Sequence, residues 1–161
     1  MEARIEELHE KLLIGKSIIM SLMNNKTHQL WNSFMKERNL VSNTIGTDLY
    51  SIQTYDESDY FQNFNPRTEF TKWATVEVKS IDNIPKGFNK FILKKGLYAV
   101  FTHRGSASEF SNTSQYIFEE WLPKSAYILD NRPHFEMLGE KYKNNDPSSE
   151  EEVWIPIKNK P

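Results

Sequence analysis

The chain has 161 residues, with 20 basic and 22 acidic side chains, a net charge of −2 and a pI near 6.1. This balance argues against a domain whose affinity comes from neutralising nucleic-acid phosphates. There is no cysteine, which excludes disulfides, thiolate zinc sites and cysteine nucleophiles. Aromatic residues make up 13% of the chain, a surplus that calls for an explanation besides the packing of one small core.

The first residues, MEARIEELHEK, are acidic where a secretory signal would be basic and then apolar. The apolar runs that follow are far shorter than the roughly 18 residues that a membrane span needs. We therefore expect a soluble cytoplasmic protein with no membrane association. The length fits a single domain over residues 1–161.

The elements predicted in chain order form two similar series. A strand over 4–22 precedes a helix around 30–35 that Thr27 would cap, and strands over 48–55 and 71–80 follow. After a connection at 80–89, a strand over 90–104 precedes a second helix. That helix has the capping-box pair Ser106 and Glu109 at its start and Pro123 as its stop, and strands over 133–139 and 150–158 follow. Residues 56–70 are the longest predicted loop.

The order strand, helix, strand, strand therefore occurs twice, in repeat one at about 1–80 and repeat two at about 88–159. Such strand-rich halves predict an α+β fold, an antiparallel sheet with helices on one face. Alternation along TKWATVEV assigns the apolar row Ala74, Val76 and Val78 to the helices. We expect Trp73, Glu136 and Trp154 on the opposite face, as an acid between two indoles.

Several runs resemble the gyrase-inhibitor-like (GyrI-like) effector-binding domain found in AraC-type and MerR-type transcription regulators. They are EFTKWATVEV (69–78), GLYAVFTHRG (96–105), YIFEEWLPKSAY (116–127), RPHFEMLG (132–139) and SEEEVWIPIK (149–158). The resemblance implies two repeats related by a pseudo-twofold axis, with a cleft between them for lipophilic and often cationic compounds. It also implies that Glu136 is the acid of that cleft. No DNA-binding domain precedes the matching region, so we expect a stand-alone form.

Three functions remain open. As a binding module, the protein would use Glu136 for charge and Trp73, Trp154 and Tyr50 as walls, with Glu120 and Tyr116 of the second helix as further ligand-binding residues. As an enzyme, it would be a hydrolase of cyclopropanoid DNA-alkylating toxins, with Glu136 or Glu120 as the catalytic acid–base. As a partner module, it would bind gyrase or a separately encoded regulator.

Each of these candidates has an ordinary structural alternative. Glu136 could be a solvated acid on the sheet, Trp73 and Trp154 core rings, Tyr50 a half-buried strand tyrosine and Glu120 a solvated helix residue. We expect no cofactor and no metal, because His103 and His134 lack metal-ligand spacing and no glycine-rich phosphate loop occurs. The acidic run 150–152 is interpreted as a solvated turn.

Overall fold

A computed structural model describes residues 1–56 and 65–161 of the chain. A nine-stranded antiparallel sheet dominates this part, and two helical segments accompany it. The strands are β1 (Arg4–Leu8), β2 (Lys11–Met20), β3 (Thr44–Thr54), β4 (Phe70–Val78), β5 (Asn89–Leu93), β6 (Gly96–Arg104), β7 (Tyr127–Leu129), β8 (His134–Leu138) and β9 (Glu150–Asn159). Much of the predicted loop at 56–70 lies outside the described residues.

The strands follow the order β1-β6-β9-β8-β3-β4-β2-β5, and β7 pairs with β9. The α+β prediction is confirmed, and β3 and β8 lie at the centre of the sheet. The predicted strands over 4–22 and 90–104 are each divided in two, because β1 pairs with β6 whereas β2 pairs with β4 and β5. The pseudo-twofold relation between the repeats stays a prediction.

The first helix, α1 (Thr27–Glu37), packs against β2 and β4. Its buried Leu30 and Phe34 contact the row Ala74, Val76 and Val78, as alternation predicted. Thr27 is not the cap: it is the first helical residue, and its backbone N–H donates to the Asn25 side chain at 3.0 Å.

The second helical segment (107–124) changes its winding three times. A 3-10 turn (Ala107–Glu109) leads into α2 (Phe110–Gln115), a π-helical stretch (Tyr116–Trp121) and a last turn, α3 (Leu122–Lys124). The predicted capping box of Ser106 and Glu109 is present. Pro123 lies inside α3 and the helix ends one residue later, at Lys124, after which Ser125 is extended. The segment packs on β6 and β9 through Ile117.

The sheet face away from the helices has a core of its own, which we call the ring core. Its rings are those of Tyr50, Trp73, Phe91, Tyr98, Phe135 and Trp154. Phe135 stacks on Trp154 with 5.1 Å between ring centroids, and the edge of Tyr98 meets Phe135 at 5.3 Å. The aromatic surplus of the composition therefore supplies packing on both faces of one sheet. Within residues 1–56 and 65–161, no helix is long and apolar enough to cross a bilayer.

Candidate functional site

Strand register determines which face of the sheet holds Glu136. Glu136 of β8 lies directly opposite Ser51 of β3 and Val153 of β9. Directly paired residues of antiparallel strands point to the same side, and Val153 belongs to the core beneath the second helical segment. Glu136 therefore lies on the helix side, and the expectation that it shares a face with Trp73 and Trp154 is wrong.

The two indoles and Tyr50 lie together on the other face. Trp73 pairs with Ile52, and Trp154 pairs with Phe135. Both indoles are half-buried in the ring core, and Tyr50 is only 3% exposed. The structure unites the three predicted wall residues but separates them from the acid, so their contact with a ligand stays a prediction of the sequence.

Tyr116 and Glu120 belong to the π-helical stretch. Glu120 is exposed, and both residues line a shallow surface pocket of about 240 Å³ together with Trp121, Lys124 and Ser125. The Tyr116 hydroxyl donates to the carbonyl oxygen of Met1 at 3.1 Å. This pocket does not include Glu136, so the two predicted acids do not form one site.

The helix-side surface of the two central strands forms what we call the interhelical floor: Ser51 and Gln53 of β3, with His134 and Glu136 of β8. It lies between the helices because α1 packs on β2 and β4, while the second helical segment packs on β6 and β9. Alternation places Ser51 and Gln53 on one side of β3, and their pairing with Glu136 and His134 joins the two strands. Polar residues therefore occupy the centre of a sheet face whose flanks are apolar.

The Glu136 carboxyl is the acid of this floor. Burial raises the pKa of Glu136, and Lys72, a hydrogen bond from Gln53 and the charge of His103 act in the opposite direction. Among the described residues no salt bridge includes Glu136. A buried carboxylate without a direct cationic partner is costly, so the group favours either a proton or an incoming cation.

Glu151 is a second acid at the edge of this floor, and the sequence analysis missed it. The run 150–152 is the start of β9 rather than a solvated turn. Glu151 pairs with His103 and belongs to the same alternating row as Val153. Burial, followed by the charge of Glu136, raises the pKa of Glu151 to about 7, while Lys72 counteracts the shift. Extending the alternation of EVWIPI (152–157) backwards by one residue would have assigned Glu151, two residues before Val153, to the helix side.

Aromatic side chains surround the floor. The ring of Tyr55 meets His134 nearly perpendicularly at 5.1 Å, and Phe118 lies 6.3 Å from the same imidazole. Burial, with a smaller contribution from Arg132, lowers the pKa of His134 to about 3 and so keeps it neutral. The phenol of Tyr142 has a raised pKa, caused by burial and by the charges of Glu151 and Glu136. Rings therefore lie around His134, and the Tyr142 phenol is close enough to both acids to be affected by their charges.

His103 has hydrogen-bond partners within the fold. Its Nδ1 lies 2.6 Å from the Thr113 hydroxyl, and its Nε2 lies 3.1 Å from the Ser106 carbonyl oxygen. These contacts tie β6 to the second helical segment. In the ranges that the structure covers, no group of three or more histidine and carboxylate side chains is arranged to hold a metal ion.

Comparisons with known proteins agree with this architecture. The transcriptional regulator BrlR of Pseudomonas aeruginosa is 26% identical over 159 residues, which are 98% of this chain and 56% of BrlR. The chain thus spans little more than half the length of that relative.

Solved structures share the fold. SAV2435 bound to tetraphenylphosphonium matches with a TM-score of 0.69 at 16% identity, over 98% of this chain and 94% of that one. The C-terminal domain of EcmrR matches at 0.70 and 13% identity, covering 99% and 98% of the two chains. The integron cassette protein VCH_CASS2 from the mobile metagenome of Vibrio cholerae matches at 0.67 and 17% identity, covering 97% and 95%.

The model of the Cass2 family, the integron-associated effector-binding proteins, matches residues 4–157, which extend from the first strand to the last. The chain therefore belongs to the Cass2 effector-binding family.

Proposed function

We propose that the protein binds a lipophilic organic cation at the interhelical floor, with Glu136 as the counter-charge. The observation that carries the proposal is the Glu136 carboxyl itself, which lies between the two helices, has a raised pKa and makes no salt bridge in the described part of the chain. A cationic ligand would supply the positive charge opposite Glu136 that no salt bridge in the described part of the chain provides.

The energetics favour a bulky cation over a small hydrated one. Two unit charges about 4 Å apart attract by about 4 kcal/mol at the effective dielectric constant of a protein surface region. Each ring near the cation adds roughly 0.5–2 kcal/mol. Tyr55 and Phe118 lie around His134 of the floor, and Tyr142 lies near the acids. A small inorganic ion would make no contacts with the rings and would have a larger desolvation penalty. The floor therefore favours a cation with an apolar surface.

Tetraphenylphosphonium is a suitable probe, because it has these properties and SAV2435, which shares the fold, binds it. Calorimetric titration at pH 8 compares the wild type with Glu136→Gln, which keeps the shape and removes the charge. Glu10→Gln removes an exposed acid in the turn between β1 and β2 and serves as the matched control.

We expect Glu136→Gln to weaken binding at least about tenfold, which corresponds to about 1.4 kcal/mol. Glu10→Gln should leave the affinity at the wild-type value. Equal affinities in all three proteins would show that Glu136 is not the counter-charge, and no heat of binding in any of them would reject this ligand class.

A hydrolase is the second candidate, and one observation favours it: Glu151, with a pKa of about 7, interacts with the neighbouring carboxyl of Glu136. An acid that titrates near neutral pH can donate and accept a proton in turn. Turnover of an activated cyclopropane compound by the wild type, and none by Glu136→Gln or Glu151→Gln, would support this activity. A wild type without turnover would leave the binding function alone.

A further inference from the structure

We propose that Lys72 is the resident counter-ion of the interhelical floor and sets the charge of its ligand, favouring compounds with one positive charge over those with two. This inference rests on the proposed function, because it concerns the same site. It assigns to a single lysine the choice among cationic ligands.

The register of the sheet places Lys72 on the same face as the acids. Lys72 of β4 pairs with Gln53 of β3, and Gln53 in turn pairs with His134 of β8. Lys72 lies two residues before Ala74, which contacts the α1 core, so its side chain leaves the sheet on the helix side. The half-buried Lys72 therefore lies on the same face as Glu136, with β3 between their strands.

Lys72 differs from the other half-buried lysines of the neighbouring strand. Lys16 binds Glu37 at 2.6 Å, and Lys11 binds Glu77 at 3.4 Å. No salt bridge of Lys72 occurs among the described residues, yet its charge acts on both Glu136 and Glu151. It thus offsets two acids at longer range without neutralising either one by direct contact.

The groups that face these acids give the charge balance. They are Lys72 from β4, His103 from β6, His134 from β8 and Tyr142 from the segment after β8. When both carboxyls are ionised and Lys72 is protonated, these three groups together carry a net charge of −1. A ligand with one positive charge neutralises the site. A second positive charge would be repelled by the Lys72 ammonium and would find no further carboxylate among these groups to offset it.

The test compares two probes at pH 8.5, above the pKa of about 7 of Glu151. One is tetraphenylphosphonium, and the other is a bis-quaternary ammonium compound of similar apolar area. Lys72→Met keeps much of the apolar stem and removes the charge, and Lys90→Met does the same at an exposed position on β5.

We expect Lys72→Met to bind the monocation about tenfold more tightly, because a like charge has left the site. The affinity for the dication should rise by about the square of that factor. The ratio of the dication affinity to the monocation affinity therefore rises about tenfold. Lys90→Met should keep the wild-type ratio. An unchanged ratio in Lys72→Met would overturn the proposal.

A measurement without ligand separates this proposal from the proposed function. Carboxyl titration by NMR should show that the pKa values of Glu136 and Glu151 are higher in Lys72→Met than in the wild type, because Lys72 lowers both. If the pKa values rise but neither probe binds, the ligand class is wrong and the counter-ion role stands. If the pKa values do not change, Lys72 is not the counter-ion, whatever binds.

Discussion

Replacing Glu151 by glutamine should stabilise the protein at alkaline pH. In the folded protein, burial and the neighbouring Glu136 raise the pKa of Glu151 from 4.5 to about 7. The native state therefore holds more protons than the unfolded chain between these two values, and stability falls as the pH rises through this window. A difference of one in pKa is worth about 1.4 kcal/mol, which gives about 3 kcal/mol in full. Partial exposure of the side chain reduces this to about 2 kcal/mol.

Denaturant unfolding at several pH values between 4.5 and 8.5 tests this prediction. The gain in unfolding free energy of Glu151→Gln over the wild type should be near zero at pH 4.5 and reach about 2 kcal/mol at pH 8. In thermal scans this corresponds to about 4–8 °C in a chain of this size. The control is Glu150→Gln. It removes an acid that forms a salt bridge with Arg104 at 3.0 Å and belongs to the row of β9 on the ring-core face. Parallel pH profiles for Glu151→Gln and the wild type would refute the assignment of a buried, proton-holding acid.

Two further predictions concern the sheet itself. Gly15→Ala should destabilise the fold by at least about 3 kcal/mol, because its Cβ would overlap the carbonyl oxygen of Ala74 and lie 2.7 Å from the Thr75 methyl group. Thermal unfolding measures this loss as a drop in melting temperature, with Ser17→Ala at an exposed position of the same strand as the control. Equal melting temperatures of the two variants would contradict the close packing at Gly15. The imidazole of His134 should remain neutral down to about pH 4, since its pKa is lowered to about 3. An NMR titration that shows His134 protonated at pH 6 would refute its burial.

Alternation along a strand shows which side chains share a face, but not which face they share. On β4 the residues Ala74, Val76 and Val78, and on β9 the residues Val153, Ile155 and Ile157, form apolar rows that lie against the helices as predicted. On β8 the apolar row, Phe135 and Met137, faces the ring core instead. The prediction failed there because it allowed the sheet one packed face, whereas this sheet packs rings on both. The partner of Phe135 is Trp154, and only pairing between strands reveals that contact.

The family resemblance pointed to Glu136, which lies between the two helical segments, although alternation placed it on the wrong face; its role in binding stays a prediction. Alternation extends the helix-side rows of β4 and β9 to Lys72 and Glu151, but a lysine and an acidic run near strand ends resemble solvated residues. Their importance depends on a register across four strands, β4-β3-β8-β9, that no single segment encodes. Local pattern predicted the elements well, and long-range pairing determined the site.

The floor combines two groups whose titrations oppose each other. Buried neutral His134 stabilises the fold above pH 6.5, and that contribution is lost as the pH falls towards about 3. Glu151 has the opposite effect, since it costs stability as the pH rises from 4.5 to about 7. Between pH 4.5 and 6.5 the slopes of His134 and Glu151 have opposite signs in the wild type. Glu151→Gln removes the negative slope of that acid, so its stability should rise more steeply with pH in this window than that of the wild type.

A bound cation acts on only one of these groups. It favours the ionised carboxylates, so the affinity for tetraphenylphosphonium should rise as the pH passes through the pKa of Glu151, and the thermal stabilisation by the probe should be larger at pH 8 than at pH 6. A probe that stabilises equally at both pH values would show that the acids of the floor do not hold its charge. At alkaline pH the ionised Glu151 lowers the stability of the unliganded protein, and a bound cation offsets this loss.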